Sequence, residues 1–382
     1  AIIKQAKIMS SKFDVVVTNP PYMGAKSMNS DLTSYVKQNY PNSKSDLFAI
    51  FIEKCMDLVN ENKITAMITM QSWMFLASYE KLRHYILENK LVDTLVHLGS
   101  RAFDQIGGEV VSTCAFTLKN TIPSESDSSV FVKLTEFKSS SLKETEFFNS
   151  ANYYVKKDLK KLKDLEGCPF LYDVSESTTD LLLTSQTVGE FGTPKKGLST
   201  GNNNQFVRLW SEVSYSKLTG SNKKWIPLNK GGSVRSWYGN NEYVVNWENN
   251  GENLKSYSGS VIRNESYYFK EGLTWSMLGS SRLALRYFPE GFIFEGAGPS
   301  FFTEKNLKYI LSFLNSKIAD YFLHKFNPTL NINIGDIQAE PLIFPNDDSI
   351  KQRIDQLTQE NINISKEEWD SRETYWDFKQ NE

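Results

Sequence analysis

The chain has 382 residues, 40% of them hydrophobic and 23% charged, with a formal net charge of −2. That is long enough for two packed domains and ordinary for a globular protein, and no run of about eighteen apolar residues is available to cross a bilayer. Cys55, Cys114 and Cys168 are scattered and form no paired motif, which argues against a disulfide framework or a metal site and for a reducing, cytoplasmic setting. His84, His97 and His324 are equally dispersed and read as surface or packing residues.

In chain order, residues 1–14 have the spacing of an amphipathic helix without a cleavage-site pattern. Phe13–Thr18 is a β-branched run of buried-strand type. Residues 46–60 carry apolar side chains at helical spacing behind Asp46, a good N-cap. Lys63–Met70 predicts a second strand, Tyr79–Asn89 a helix, and Leu91–Leu98 and Val110–Leu118 two further strands. This alternation predicts α/β architecture, part of a doubly wound sheet, over residues 1–170. The Lys-rich stretch 151–167 predicts a surface helix.

From residue 171 the texture changes to short strand runs rich in Gly, Asn, Ser and Trp, such as Tyr243–Trp247, Leu273–Leu278 and Gly291–Phe294. The expectation is a β-rich α+β domain over 171–345. It includes one helix at Glu304–Phe326 and is followed by a charged helical tail at 346–382. Lysine and arginine outnumber acids between residues 190 and 290, so a local basic face is expected despite the net charge.

The sharpest signal is Asn19-Pro20-Pro21-Tyr22, directly after the first strand. In open α/β sheets, ligand sites lie beyond the carboxyl ends of strands. An amine conjugated with an aromatic ring is a poor nucleophile, because its lone pair is delocalised. Acceptors for both of its N–H bonds favour a pyramidal nitrogen, provided they are rigid and aimed at the transition state. The Asn19 side-chain oxygen and the Pro20 carbonyl are two such acceptors. Consecutive prolines hold the turn's shape, and Tyr22 offers a face for a base.

These residues resemble motif IV of the amino-methyltransferases that use S-adenosylmethionine. The segments 19–29, 45–55, 67–83, 97–116 and 327–337 together are similar to the PglX methyltransferases of BREX phage-defence systems, which are gamma-class adenine methyltransferases like the TaqI DNA methyltransferase. The resemblance implies a methyltransferase core followed by a DNA target-recognition domain. It implies that Asn19 and Pro20 hold the adenine amino group, that Pro21 completes the turn, and that Tyr22 and Phe116 stack on the flipped base. It places Phe51 and Asp46, with Asn19, on the cofactor side. The family's glycine-rich cofactor loop should precede Asn19 by many tens of residues, and residues 1–18 contain no glycine. The chain is therefore expected to be a fragment that lacks most of the cofactor site and is inactive alone.

For double-stranded DNA, the segment 197–208 supplies suitable groups. Asn202, Asn203, Asn204 and Gln205 can read adenine edges, Arg208 suits guanine, and Lys195 and Lys196 suit phosphates. Three alternatives stay open: a restriction–modification enzyme with the same core, a protein or RNA amino-methyltransferase, and a DNA-binding module without activity. Other phage-defence proteins are expected partners, and a membrane is not.

Overall fold

The computed structural model describes residues 2–103, 111–218, 223–278, 282–329 and 331–372. Gly107-Gly108 and Val110 lie outside them. The chain divides into two compact units, Ala1–Thr184 and Ser185–Glu382.

The first unit runs α1 (Ile2–Ser10), β1 (Phe13–Thr18), α2 (Ser30–Asn39), α3 (Leu47–Asp57), β2 (Val59–Met70), α4 (Glu80–Asn89), β3 (Leu91–Gly99), β4 (Thr113–Lys119), β5 (Ser128–Lys133), α5 (Ser140–Phe147), β6 (Tyr153–Lys157) and α6 (Glu176–Thr184). Its six strands form one sheet in the order β1-β2-β4-β3-β5-β6. β1 and β2 are parallel, as are β3 and β5, while β4 lies antiparallel between β2 and β3. The α/β reading of this half therefore describes the architecture. One face of the sheet is buried: Met67, Phe116, Leu95 and Phe131 occupy aligned positions across four strands. Phe48, Ile52 and Cys55 of α3 are buried too, and the Thr65 hydroxyl donates to the Cys55 carbonyl from that same face. On the edge strand β1 the alternate positions Phe13, Val15 and Val17 are exposed.

Two expectations for this half change. Residues 151–167 do not form a helix. Tyr153–Lys157 is an edge strand paired with β5, and only Leu159–Asp164 turns, as a 3-10 helix. Alternating Tyr154 and Val155 suit a pleated surface better than a helix. Residues 171–184 belong with the first unit, because Tyr172 stacks on Phe131 at 4.7 Å and Phe170 meets Trp73 edge-on at 5.2 Å.

The second unit contains β7 (Gln186–Thr187), α7 (Val188–Phe191), β8 (Thr193–Lys195), α8 (Asn203–Phe206), β9 (Val207–Leu209), β10 (Trp225–Asn229), β11 (Tyr243–Asn246), α9 (Glu248–Ser256), β12 (Gly272–Trp275), β13 (Leu285–Phe288), β14 (Ile293–Phe294), β15 (Ser300–Phe302), α10 (Leu307–Leu314), α11 (Lys317–Phe326), α12 (Ile334–Gln338), β16 (Pro341–Leu342) and α13 (Asp348–Asp370). Two four-stranded sheets, β14-β10-β11-β9 and β13-β12-β15-β8, stand beside the pair β16-β7. One core gathers Leu198, Phe206, Leu228, Phe294 and Phe302. Another gathers Trp275, Leu285, Ile310, Leu314, Leu323 and Ile362. The expected helix 304–326 is two helices. Asn315 interrupts it by bonding the Leu285 backbone on both sides, and Ser316 caps the next helix. The tail helix α13 packs into this unit through Ile362 rather than standing apart.

Candidate active site

The Asn-Pro-Pro-Tyr corner leaves the carboxyl end of β1 as the sheet geometry requires. Pro20 is buried while Asn19 and Pro21 are exposed. The corner is held by a residue far along the chain. Asp46 Oδ1 accepts hydrogen bonds from the backbone N–H of Met23 (2.9 Å) and of Phe48 (3.2 Å). A short antiparallel bridge joins Gly24 to Asp46, with the Leu47 N–H donating to the Met23 carbonyl at 3.1 Å. Asp46 therefore caps α3 and fixes the exit of the corner at once.

Tyr22 is 39% exposed and meets Phe48 edge-on, with ring centroids 5.9 Å apart. Phe48 leans in turn on Tyr79 at 5.6 Å. Partial burial pushes the Tyr22 phenol above its ordinary range, and nearby Cys114 and Asp46 add to it. The ring is a neutral, supported platform with an accessible side. Phe51 is half-buried and absent from the buried face of α3 formed by Phe48, Ile52 and Cys55.

Phe116 is placed differently from the expectation. It is 3% exposed and covered by Trp73, whose ring lies edge-on at 5.2 Å. Position 116 shares the helix-covered face with Met67 and Leu95, so its side chain enters the core rather than a surface where a base could stack.

Two features of this end of the sheet escaped the sequence. His97 is buried at the end of β3; its Nδ1 lies 2.6 Å from the Tyr172 hydroxyl and its Nε2 lies 2.7 Å from Gln71 Oε1. Burial, with Lys133 adding, pushes His97 down to about 3, so the ring is neutral at pH 7. Arg83 is fully buried. Its guanidinium donates to four carbonyls, those of Trp73 (2.7 Å), Leu76 (2.8 Å), Cys168 (2.9 Å) and Gly167 (2.5 Å). It ties the segment after β2 to the segment before Tyr172.

In the second unit, the 197–208 segment spends part of its polar inventory on itself. Asn202 caps α8 through the Gln205 N–H (3.3 Å), and the Thr200 hydroxyl donates to Asn203 Oδ1 at 2.5 Å. The Arg208 guanidinium donates to the Asn204 and Val207 carbonyls and lies over Trp225 at 5.9 Å. Asn203, Asn204 and Gln205 remain exposed. Lys195 reaches over the Tyr267 ring at 5.3 Å, and Lys196 is half-buried beside Gly296. Trp247 is core, as its contact with Tyr268 shows, whereas Trp210, Trp225 and Trp237 are half-buried.

Residues 2–103 match the Eco57I restriction-modification methylase family. The chain is 39% identical over 387 residues to the adenine-specific methyltransferase BrxX of Escherichia coli O9:H4 (strain HS), covering 99% of this chain and 31% of that protein. It is 36% identical over 403 residues to the adenine-specific methyltransferase PglX of Lacticaseibacillus casei (strain Zhang), covering 100% of this chain and 33% of the relative. The chain thus spans about a third of the length of these relatives. Among solved structures, the ATP-dependent Type ISP restriction-modification enzyme LlaBIII bound to DNA has a like fold. The TM-score is 0.56 at 9% identity, over 95% of this chain and 30% of that one. No helix among the described residues is long and apolar enough to cross a membrane.

Proposed function

We propose that this chain, homologous from end to end to the BrxX and PglX adenine-specific methyltransferases, is the base-holding and target-reading part of a DNA adenine N6-methyltransferase in phage defence. The observation that carries the reading is the corner at residues 19–22, fixed by Asp46 at the carboxyl end of β1. Asn19 Oδ1 and the Pro20 carbonyl accept the two N–H bonds of a flipped adenine, and the Tyr22 ring stacks on it. Flipping costs a few kcal/mol, which the stacking platform and the amine acceptors offset. Because the acceptors do not reorganise, their effect falls on the transition state.

S-adenosylmethionine supplies the electrophilic methyl group. Exposed Asn19 and half-buried Phe51 suit one side of that cofactor, while residues 2–18 offer no glycine turn to cradle it. In the second unit, exposed Asn203, Asn204 and Gln205 read base edges of double-stranded DNA, with Lys195 and Lys196 toward phosphates and Arg208 stiffening the segment. Free, buried Cys55, Cys114 and Cys168 are compatible with the cytoplasm. Other defence proteins are the expected assembly partners.

The test is Asn19→Ala in the native gene product, read by mass spectrometry of N6-methyladenine in host DNA. Methylation should fall by about 10²–10³-fold or more, with DNA affinity little changed. Methylation at the unaltered level would remove the corner from catalysis. A restriction–modification setting is the second reading, supported by the family match over residues 2–103.

A further inference from the structure

We infer that Gln71 is a specificity residue of this site: its side-chain amide, aimed by His97 and Tyr172, donates to a ring nitrogen of the flipped adenine beside the reacting amino group. This rests on the adenine-methyltransferase reading above.

The placement follows from the sheet. Thr69 of β2, Cys114 of β4 and His97 of β3 form one rung. Gln71 lies two residues beyond Thr69, so it leaves the strand on the same, helix-covered face. Tyr22 lies in the corner that follows Thr18 and meets Phe48 of α3 edge-on, and Thr18 is paired with Met67, four residues before Gln71. The corner and Gln71 therefore flank the same carboxyl end of the sheet. The Gln71 backbone is held as well, its N–H donating to the Ser112 carbonyl at 2.9 Å.

The direction of the amide follows from proton bookkeeping. Gln71 Oε1 can only accept, so the His97 Nε2 facing it at 2.7 Å carries the hydrogen. The ring is neutral, so Nδ1 accepts, and the Tyr172 hydroxyl donates to it at 2.6 Å. The chain of donors runs one way, from Tyr172 through His97 to Gln71. Such a chain polarises each successive bond. It leaves the Gln71 –NH₂ as its outer end, with no hydrogen bond to any described residue. Tyr172 is itself clamped, stacked on Phe131 at 4.7 Å, and Phe75 leans on the His97 ring at 5.7 Å. A relay of buried Tyr172 and His97 and half-buried Gln71 that ends on two open N–H donors beside an amine-holding corner fits a purine with an acceptor next to its amino group. Adenine has one at N1 and another at N7; guanine carries a proton at N1. Gln71 makes the contact, and His97 and Tyr172 are positioning residues.

The test uses the native gene product and synthetic duplexes carrying the motif found methylated in host DNA, with the target base as adenine, 1-deazaadenine or 7-deazaadenine. In single-turnover assays one deaza substitution should slow the wild-type protein by about ten- to a hundredfold. Gln71→Leu should slow methylation of adenine and erase the difference between adenine and that analogue. Tyr172→Phe, assayed at a temperature where the variant is fully folded, should reduce the difference between adenine and that analogue, a readout that a purely structural role would not move. Equal wild-type rates on all three duplexes would overturn the inference, and that comparison needs no variant to fold. So would discrimination that persists in Gln71→Leu, since the amide would then face protein rather than base. Failure to methylate even the adenine duplex is a separate outcome, and it would sink the methyltransferase reading itself.

Discussion

The corner at residues 19–22 and the segment at 197–208 are both short polar turns that we propose meet DNA, yet they are built in opposite ways. In the corner, the side chains that make the framework are not the side chain offered to a ligand. Pro20, Pro21 and distant Asp46 make the shape, and the Asn19 side chain is left exposed. In the 197–208 segment the same residue types do both jobs. Asn202 caps a helix, Asn203 takes the Thr200 hydroxyl, and Arg208 bonds backbone carbonyls, while Asn204 and Gln205 stay exposed. A motif can be read from letters when its scaffold is made by other letters. Where asparagine is both scaffold and reader, only coordinates divide the two.

The framework side of that contrast breaks most visibly at Arg83. Arg83→Met would leave four carbonyls, two of them buried and two half-buried, without their donor, at a cost of about 2–5 kcal/mol. Equilibrium urea unfolding of the native gene product, followed by tryptophan fluorescence, should show the loss. A shift below about 1 kcal/mol would mean that the segment after β2 holds its place without the arginine. On the functional side, Tyr22→Ala should lower methylation by roughly ten- to a hundredfold through lost stacking of about 1–3 kcal/mol. Tyr22→Phe should stay near wild type, because the ring rather than the hydroxyl is the platform. Equal losses for both variants, measured as kcat/KM on duplex DNA, would instead assign the work to the phenol.

How far the sequence reached follows the same division. β1 and the helix capped by Asp46 lie where periodicity placed them, because local spacing alone decides those elements. Residues 151–167 misled because five lysines mimic a solvated helix, while pairing of Val155 with Val130 on a neighbouring strand decides the outcome. Asn315 stops a helix through bonds to Leu285, thirty residues earlier. The Gln71–His97–Tyr172 relay draws on three elements, so no window of sequence contains it. Arg83 looks like a surface position in the string Glu80–Asn89, and only tertiary contacts reveal its burial.

The two units should also respond to pH in opposite senses. In the first, the folded state holds His97 down at about 3 against 6.5 for a free imidazole. The unfolded chain then binds more protons between those values, so stability falls as pH drops below 6.5. In the second, Glu340 is fully buried, both its carboxylate oxygens lack a hydrogen-bond partner among the described residues, and burial together with Asp336 and Asp320 raises it well above 4.5. There the folded state keeps a proton that the unfolded chain releases, so stability falls as pH rises above 4.5. Glu340→Gln should raise the melting temperature of that unit at pH 8 by about 2–4 °C or more and change it little at pH 5. An equal shift at both values would point to packing rather than ionisation.

The finest division lies between neighbours in the 197–208 segment. Asn202→Ala removes the cap of α8 and should cost about 1 kcal/mol of local stability, visible as faster hydrogen exchange at Gln205 and Phe206. Its effect on which DNA sequence is preferred should be small, because its side chain already serves Gln205. Asn204→Ala removes an exposed side chain with no such duty. Its stability should be unchanged, while the ratio of specific to non-specific DNA affinity falls about fivefold, the loss of one hydrogen bond of about 1 kcal/mol. Fluorescence anisotropy on the methylated motif and on a scrambled duplex, at one fixed salt concentration, separates the two variants. If Asn202→Ala relaxed sequence preference and Asn204→Ala did not, the reader and the scaffold would have exchanged places. The exposed asparagine would then be an ordinary turn residue.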